Sequence, residues 1–74
     1  MIGMTGRDVE FGVKVLSNLL EYRKVDVIRD HSRLAIAARE VAQLLMGTDH
    51  VARANIENII VERIMRAAYS AEAK

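Results

Sequence analysis

Few residue types that could perform chemistry occur in this sequence, and none has the spacing of a reaction centre. The only histidines are His31 and His50, and neither has carboxylates at the spacing of metal ligands. The absence of cysteine excludes a disulfide, a thiolate nucleophile and a cysteine-based zinc site. No glycine-rich phosphate loop, Ser-His-Asp arrangement, zinc-protease helix or calcium loop is present. We therefore expect no catalysis, no cofactor, no metal and no small-molecule substrate.

The remaining polar chemistry is electrostatic. Eleven Lys and Arg against ten Asp and Glu give a net charge of +1. This charge is too small for sequence-independent binding to the phosphates of a nucleic acid, so we expect no nucleic-acid partner. Four basic residues would lie within about 80° of one another on a continuous helix, where each could contribute about 1 kcal/mol toward an anionic membrane. These candidate lipid contacts are Arg7, Lys14, Arg29 and Arg39. An ordinary solvated face is the alternative.

The residues before position 47 have the pattern of one long helix. The chain has no proline, and three of its four glycines lie within the first twelve residues, so nothing typical of a helix break occurs between Val13 and Met46. Apolar residues recur at intervals of seven from Val13 to Val41, which keeps one side of a helix facing a neighbour. The pattern predicts a first helix over about residues 7–46.

A corner and a second helix follow. Gly47 can adopt the left-handed conformation that ends a helix, and Thr48 or Asp49 can cap the next one. We predict a corner at residues 47–48 and a second helix over about residues 49–73, folded back on the first. The fold class is therefore all-α, a long antiparallel two-helix hairpin. The apolar residues expected between the two helices, the hairpin seam, are Val13, Leu20, Val27, Leu34, Val41, Leu45, Ile56, Ile60 and Ile64.

The two predicted helices differ in length, which leaves apolar surface uncovered. At 1.5 Å per residue they would run about 60 Å and about 37 Å, so about fifteen residues of helix one lack a partner in the chain. We expect oligomerisation, or helices downstream of a chain that forms the N-terminal part of a longer domain, to cover this surface. A two-chain four-helix bundle is the simplest form. The predicted assembly surface comprises Phe11, Val15, Tyr22, Val25, Ile36, Val61, Met65 and Tyr69.

The run GTDHVARANIENIIVE, residues 47–62, resembles the start of the second helix in the ESCRT-III superfamily, and most closely its Increased Sodium Tolerance (Ist-type) branch. That branch has a Gly-x-Asp corner followed by Ala-Arg, an aliphatic residue, Glu and two aliphatic residues. The similarity extends over roughly residues 10–73. The matching positions, the family motif, are Gly47, Asp49, Ala52, Arg53, Ile56, Glu57, Ile59 and Ile60.

This resemblance implies a non-enzymatic protein that assembles into filaments with itself or with other ESCRT-III-like subunits in endosomal sorting and membrane remodelling. It implies a cytoplasmic protein peripheral to endosomal membranes, and the sequence has no run of about 18–20 apolar residues that would span a bilayer. Arg53 and Glu57 could pair along the helix or fix the register of the hairpin. A stand-alone dimeric helical bundle without a membrane role is the alternative function, and a small nucleic-acid-binding dimer is a weaker one.

Overall fold

The protein is described by a computed structural model of residues 6–72, which form three α-helices and no strand within that range. Helix α1 spans Gly6–Tyr22, α2 spans His31–Met46 and α3 spans His50–Glu72. The predicted all-α class is confirmed for these residues. The predicted end of helix two at residue 73 lies outside them.

The single helix predicted over residues 7–46 is not observed, because residues 23–30 form a connector between α1 and α2. The backbone N–H of Val25 donates to the carbonyl of Leu20 (2.9 Å), and that of Lys24 donates to Glu21 (3.2 Å). These two bonds form a Schellman motif, which satisfies the last carbonyls of α1. Lys24 has φ 55°, a left-handed conformation usually taken by glycine. The break therefore occurs without the glycine or proline that would have revealed it.

Two aspartates shape the rest of the connector. The Asp26 carboxylate accepts hydrogen bonds from the backbone N–H groups of Ile28 (3.1 Å) and Arg29 (3.0 Å), and these local bonds hold a turn in place of a helix. The Asp30 carboxylate accepts from the N–H of Arg33 (3.2 Å) and caps the start of α2. Both residues are visible in the sequence as helix-start signals, and they mark the boundary that the heptad pattern conceals.

A corner lies between α2 and α3, where α2 ends at Met46 and α3 begins at His50. Gly47 has φ 58° and ψ −121°; the positive φ is as expected, but ψ differs from the left-handed helical value. The Asp49 N–H donates to the carbonyl of Met46 (3.1 Å), which closes a tight turn. The Asp49 carboxylate accepts from the N–H of Ala52 (3.1 Å) and caps α3. The chain thus reverses direction within three residues.

The three helices pack in an up-down-up arrangement. A Cβ built on Gly12 in α1 would lie 3.2 Å from Leu45 at the end of α2 and 3.1 Å from Ile60 in the middle of α3. Arg23, directly after the end of α1, pairs with Glu40, which precedes Leu45 in α2, so α2 runs antiparallel to its neighbours. The molecule measures 41 × 20 × 17 Å. The part of predicted helix one that was expected to lack a partner in the chain is therefore folded back as α1, which packs on both α2 and α3.

The core forms where the three helices meet. Its largest fully buried side chains are Leu16, Leu34, Ile56 and Ile60. Small residues let the helices approach, namely Gly12 in α1 and Ala37, Ala38 and Ala42 in α2. The buried members of the predicted seam are Leu20, Leu34, Val41, Ile56, Ile60 and Ile64. Val13, Val27 and Leu45 are half-buried and pack against the same core.

Candidate interaction surface

An apolar groove lies between α1 and α2 on the outside of the bundle. Val15 and Leu19 line it from α1, and Val41 and Leu44 line it from α2; these four residues define the α1–α2 groove. It encloses about 250 Å³ and is open to solvent. Val15, Leu19 and Val41 also contact the core, so the floor of the groove is held rigidly by the packing beneath it.

Large apolar side chains stand exposed around this groove. Leu44 on its α2 wall is 76% exposed, and Tyr22 and Phe11 on α1 are 86% and 55% exposed. By helical phase Tyr22 lies close to Val15 on the side of α1 that faces α2, whereas Phe11 lines a separate depression on the outer face of α1 with Arg7 and Lys14. Tyr22 and Leu44 are therefore the exposed apolar side chains beside the groove, and exposed apolar side chains grouped in this way mark contact with other molecules.

An ion pair closes one end of the groove. The Arg23 guanidinium donates two hydrogen bonds to the Glu40 carboxylate, at 2.8 and 3.1 Å. The hydrogen bond from Arg23 lowers the pKa of Glu40 below its ordinary value, and the bond to Glu40 raises the pKa of Arg23. Arg33 also donates to the backbone carbonyl of Arg23 (3.1 Å). These bonds join the end of α1 to α2 and fix the width of the groove at that end.

The predicted assembly surface does not form one face. Phe11, Tyr22, Ile36 and Tyr69 are exposed, but Val15, Val25, Val61 and Met65 are half-buried and pack against the core of the same chain. The break at residues 23–30 is the reason, because it changes which side of each helix the core covers. By helical phase Ile36 and Tyr69 point away from the groove, on the outer faces of α2 and α3.

The candidate lipid contacts also separate. Arg7 and Lys14 are exposed on the outer face of α1. Arg29 lies in the connector and pairs with Asp26 (3.2 Å), and Arg39 pairs with Glu57 of α3 (3.8 Å). The single basic row predicted on one continuous helix is therefore not formed, since the connector interrupts the helical phase between Lys14 and Arg39.

The family motif lies at the α2–α3 corner and along α3. Ile56 and Ile60 are buried in the core, and Ala52 and Ile59 are half-buried. Arg53 does not pair with Glu57; its guanidinium lies 2.9 Å from Nδ1 of His50. Glu57 instead meets Arg39 across the α2–α3 interface. The motif thus supplies one charged contact between the two helices, in addition to its part of the core.

A second cavity lies at the opposite side of α1, where the connector meets the end of α3. It encloses about 340 Å³. Leu20 and Ile64 form its apolar floor, and Val25 and Val27 of the connector cover one side. Ala67 and Ala68 of α3 leave the space open because their side chains are short. The connector therefore contacts the core through valines and leaves a gap beside α3.

Within residues 6–72, no group of three His, Asp or Glu side chains could hold a metal ion. In that same range no helix is both long enough and apolar enough to cross a membrane. Comparison of the chain with protein-family models, with curated proteins and with solved structures gives no match.

Sequence reasoning missed three elements of this surface. Leu44 falls outside the heptad seam, so its exposure beside the groove is decided by where α1 lies. The Arg23–Glu40 pair joins residues seventeen apart in sequence, a separation that no local pattern indicates. In the sequence Gly12 has only the character of a helix breaker, whereas in the structure it is buried inside α1 between α2 and α3.

Proposed function

We propose that this chain is a non-enzymatic assembly module that binds further copies of itself through the α1–α2 groove. The observation that carries the proposal is the exposure of Tyr22 and Leu44 beside a groove whose floor belongs to the core. Burial of these side chains against a neighbour is favourable at about 25 cal/mol per Å² of apolar area removed from water. The chain offers them to a partner without having to unfold.

We further propose ESCRT-III-like, Ist-type membrane remodelling and endosomal protein sorting as the setting of this assembly, with filaments of this chain or of related subunits. The support is the resemblance of residues 47–62, in which Gly47 has positive φ and Asp49 caps α3. In this proposal the protein acts at the cytoplasmic face of endosomal membranes. Its assembled form is the long antiparallel two-helix hairpin, in which α1 and α2 of each chain are continuous and the α1–α2 groove is formed between neighbouring chains.

A stand-alone dimeric helical bundle without a membrane role is the second candidate. It is favoured by the closed packing of the single chain, in which α1, α2 and α3 share one core around Leu16 and Ile60. A closed bundle with one apolar groove needs one neighbour only. Such a contact ends at two chains, whereas an open contact continues to add chains.

Sedimentation velocity between about 10 µM and 1 mM protein distinguishes these candidates, since association is governed by mass action. We expect species larger than the monomer, continued growth for a filament, and growth that stops at two chains for the dimer. Leu44→Asp should abolish association through the groove while leaving helicity unchanged. Val51→Asp is the matched control, because Val51 is 72% exposed but lies on α3, away from the groove. Equal effects of the two substitutions would refute the groove as the contact.

Co-sedimentation with vesicles containing phosphatidylserine tests the membrane setting. We expect weak binding at low salt that disappears at high salt, because Arg7 and Lys14 can offer only a few kcal/mol to an anionic surface. Lys14→Glu should remove this binding, whereas Arg39→Glu should not, since Arg39 faces Glu57. An absence of binding even at low salt would exclude direct contact with anionic lipid.

A further inference from the structure

The connector at residues 23–30 is a break made from residues that are compatible with a helix. It contains no glycine or proline, and the heptad spacing of Leu20, Val27 and Leu34 passes through it without a shift of phase. Lys24 holds a left-handed conformation, φ 55°, that carries a steric cost for any residue with a Cβ. The break is held by the bonds that Asp26 and Asp30 accept from backbone N–H groups. The apolar repeat and the steric cost at Lys24 therefore favour a continuous helix, whereas the hydrogen bonds of Asp26 and Asp30 favour the break.

In the folded chain α1 occupies an apolar slot formed by α2 and α3. The shape of this slot matches α1. Leu45 of α2 and Ile56 and Ile60 of α3 lie around Gly12 of α1, and the two isoleucines are fully buried. Gly12 permits contact with this slot at distances that a side chain would not. No other described segment of the chain can fill the slot if α1 leaves it, whereas α1 of a second copy fits it residue for residue.

We propose that two copies of this protein exchange α1, with the connector of each becoming helical so that α1 and α2 form one rod over residues 6–46. Each end of the dimer then contains α2 and α3 of one chain and α1 of the other. The contacts that α1, α2 and α3 make with one another are kept, and only the connectors, with the core contacts of Val25 and Val27, change. This inference goes beyond the proposed function, because the exchange joins two chains through their cores, whereas the α1–α2 groove, then formed by helices of different chains, stays open to further copies.

The register of the bundle is compatible with this exchange. Gly12 lies beside Leu45, and Arg23 lies beside Glu40, in an antiparallel arrangement. The same pairings between two rods place both connectors side by side at the two-fold axis of the dimer. Val27, which now packs against the core of its own chain, would then face the partner's connector and continue the seam across the axis.

Distance measurement between two spin labels on one chain tests the exchange. The protein has no cysteine, so Arg7→Cys and Gln43→Cys provide unique sites, both exposed. In the single-chain bundle these positions lie at the same end of a molecule 20 × 17 Å across, within about 25 Å of each other. In the rod, thirty-six residues of helix separate them by about 54 Å. Labelled chains are diluted with unlabelled chain so that only distances within one chain are observed.

Two connector variants move the equilibrium in opposite directions. Lys24→Gly removes the steric cost of the break and weakens the rod, and it should lower the dimerisation constant about tenfold or more per connector. The double variant Asp26→Ala/Asp30→Ala removes the turn and the cap, and it should raise the dimerisation constant about fivefold for each of the two sets of hydrogen bonds that is lost. A Gln43→Cys/Asn58→Cys label pair on α2 and α3 is the control, because its distance stays the same in both forms.

The result expected is a population near 54 Å that grows with concentration in step with the dimer seen by sedimentation. Dimers that retain only the short distance would overturn the exchange and leave surface association standing. A chain that remains monomeric at the highest concentration would overturn both the exchange and the proposed function. A dimer fraction that Lys24→Gly does not reduce would also overturn the exchange.

Discussion

Gly12→Ala tests whether α1 is held as closely against α2 and α3 as the packing indicates. The added Cβ would lie 3.1 Å from Cγ2 of Ile60, 3.2 Å from Cδ1 of Leu45 and 3.7 Å from Cδ1 of Ile56. Carbon atoms pack best at about 3.5–4.0 Å, so two of these contacts are too short by several tenths of an ångström. Leu45 can turn its terminal methyl away. Ile60 cannot move Cγ2 easily, because that methyl is attached to Cβ and its rotamer is restricted inside a helix.

Two effects of opposite sign decide the outcome. Alanine within a helix is favoured over glycine by about 1 kcal/mol, whereas overpacking a core usually costs about 1–3 kcal/mol. Because the stiff Ile60 methyl is the nearer neighbour, we expect the steric effect to prevail and Gly12→Ala to lower the free energy of unfolding by about 1 kcal/mol. For a domain of this size, that change lowers the melting temperature by about 4–8 °C.

Thermal and urea unfolding followed by circular dichroism measure this change. Asn18→Ala is the matched control, since Asn18 is exposed in the same helix and should gain a few tenths of a kcal/mol from helix propensity alone. Gly12→Ala combined with Ile60→Leu should show favourable coupling in a double-mutant cycle, because leucine carries no methyl on its Cβ. Stabilisation by Gly12→Ala equal to its full propensity gain would refute the close approach of α1.

Three further predictions concern stability. Arg23 holds the pKa of Glu40 below its ordinary value of 4.5. The ion pair therefore stabilises the fold above pH 4.5, and this contribution is lost as the pH falls through the lowered pKa. Between about pH 6 and pH 3 the free energy of unfolding should therefore fall less for Glu40→Gln than for the natural chain. Leu16→Ala should cost about 2–5 kcal/mol in urea unfolding because Leu16 is fully buried, and a cost below about 1 kcal/mol would contradict its place in the core. Asp49→Ala should cost about 1 kcal/mol by removing the cap on Ala52, whereas an unchanged melting temperature would show that the cap contributes nothing.

The sequence was most informative about local structure with a short-range cause. The corner at residue 47 follows from a glycine that can take positive φ and an aspartate that can cap the next helix, both within three residues. The buried face of α3 follows equally directly, since Ile56, Ile60 and Ile64 repeat at the helical spacing and all are buried. Each of these predictions depends on residues close to one another along the chain.

The tertiary structure decided the connector. Leu20, Val27 and Leu34 satisfy the heptad equally well in a bent chain and in a straight one, so the pattern carries no information about the break. In the single chain, bending lets α1 cover the apolar slot on α2 and α3, and that burial outweighs the left-handed conformation of Lys24. A seven-residue repeat specifies which side of a helix is apolar, but it does not specify which molecule covers that side.

The properties of the candidate surface were likewise determined partly by the sequence and partly by the tertiary structure. Composition alone excluded cysteine chemistry, since the chain has no thiol. The exposure of an apolar residue depends on neighbours distant in sequence, so only the packing of the three helices decides it. Val61 and Met65 are covered by their own chain, whereas Leu44 is exposed to solvent. Helical period and capping are properties of a few adjacent residues, and the sequence determined them here. The way in which the helices share their apolar faces minimises exposed area over the whole chain, so only the folded arrangement could decide it.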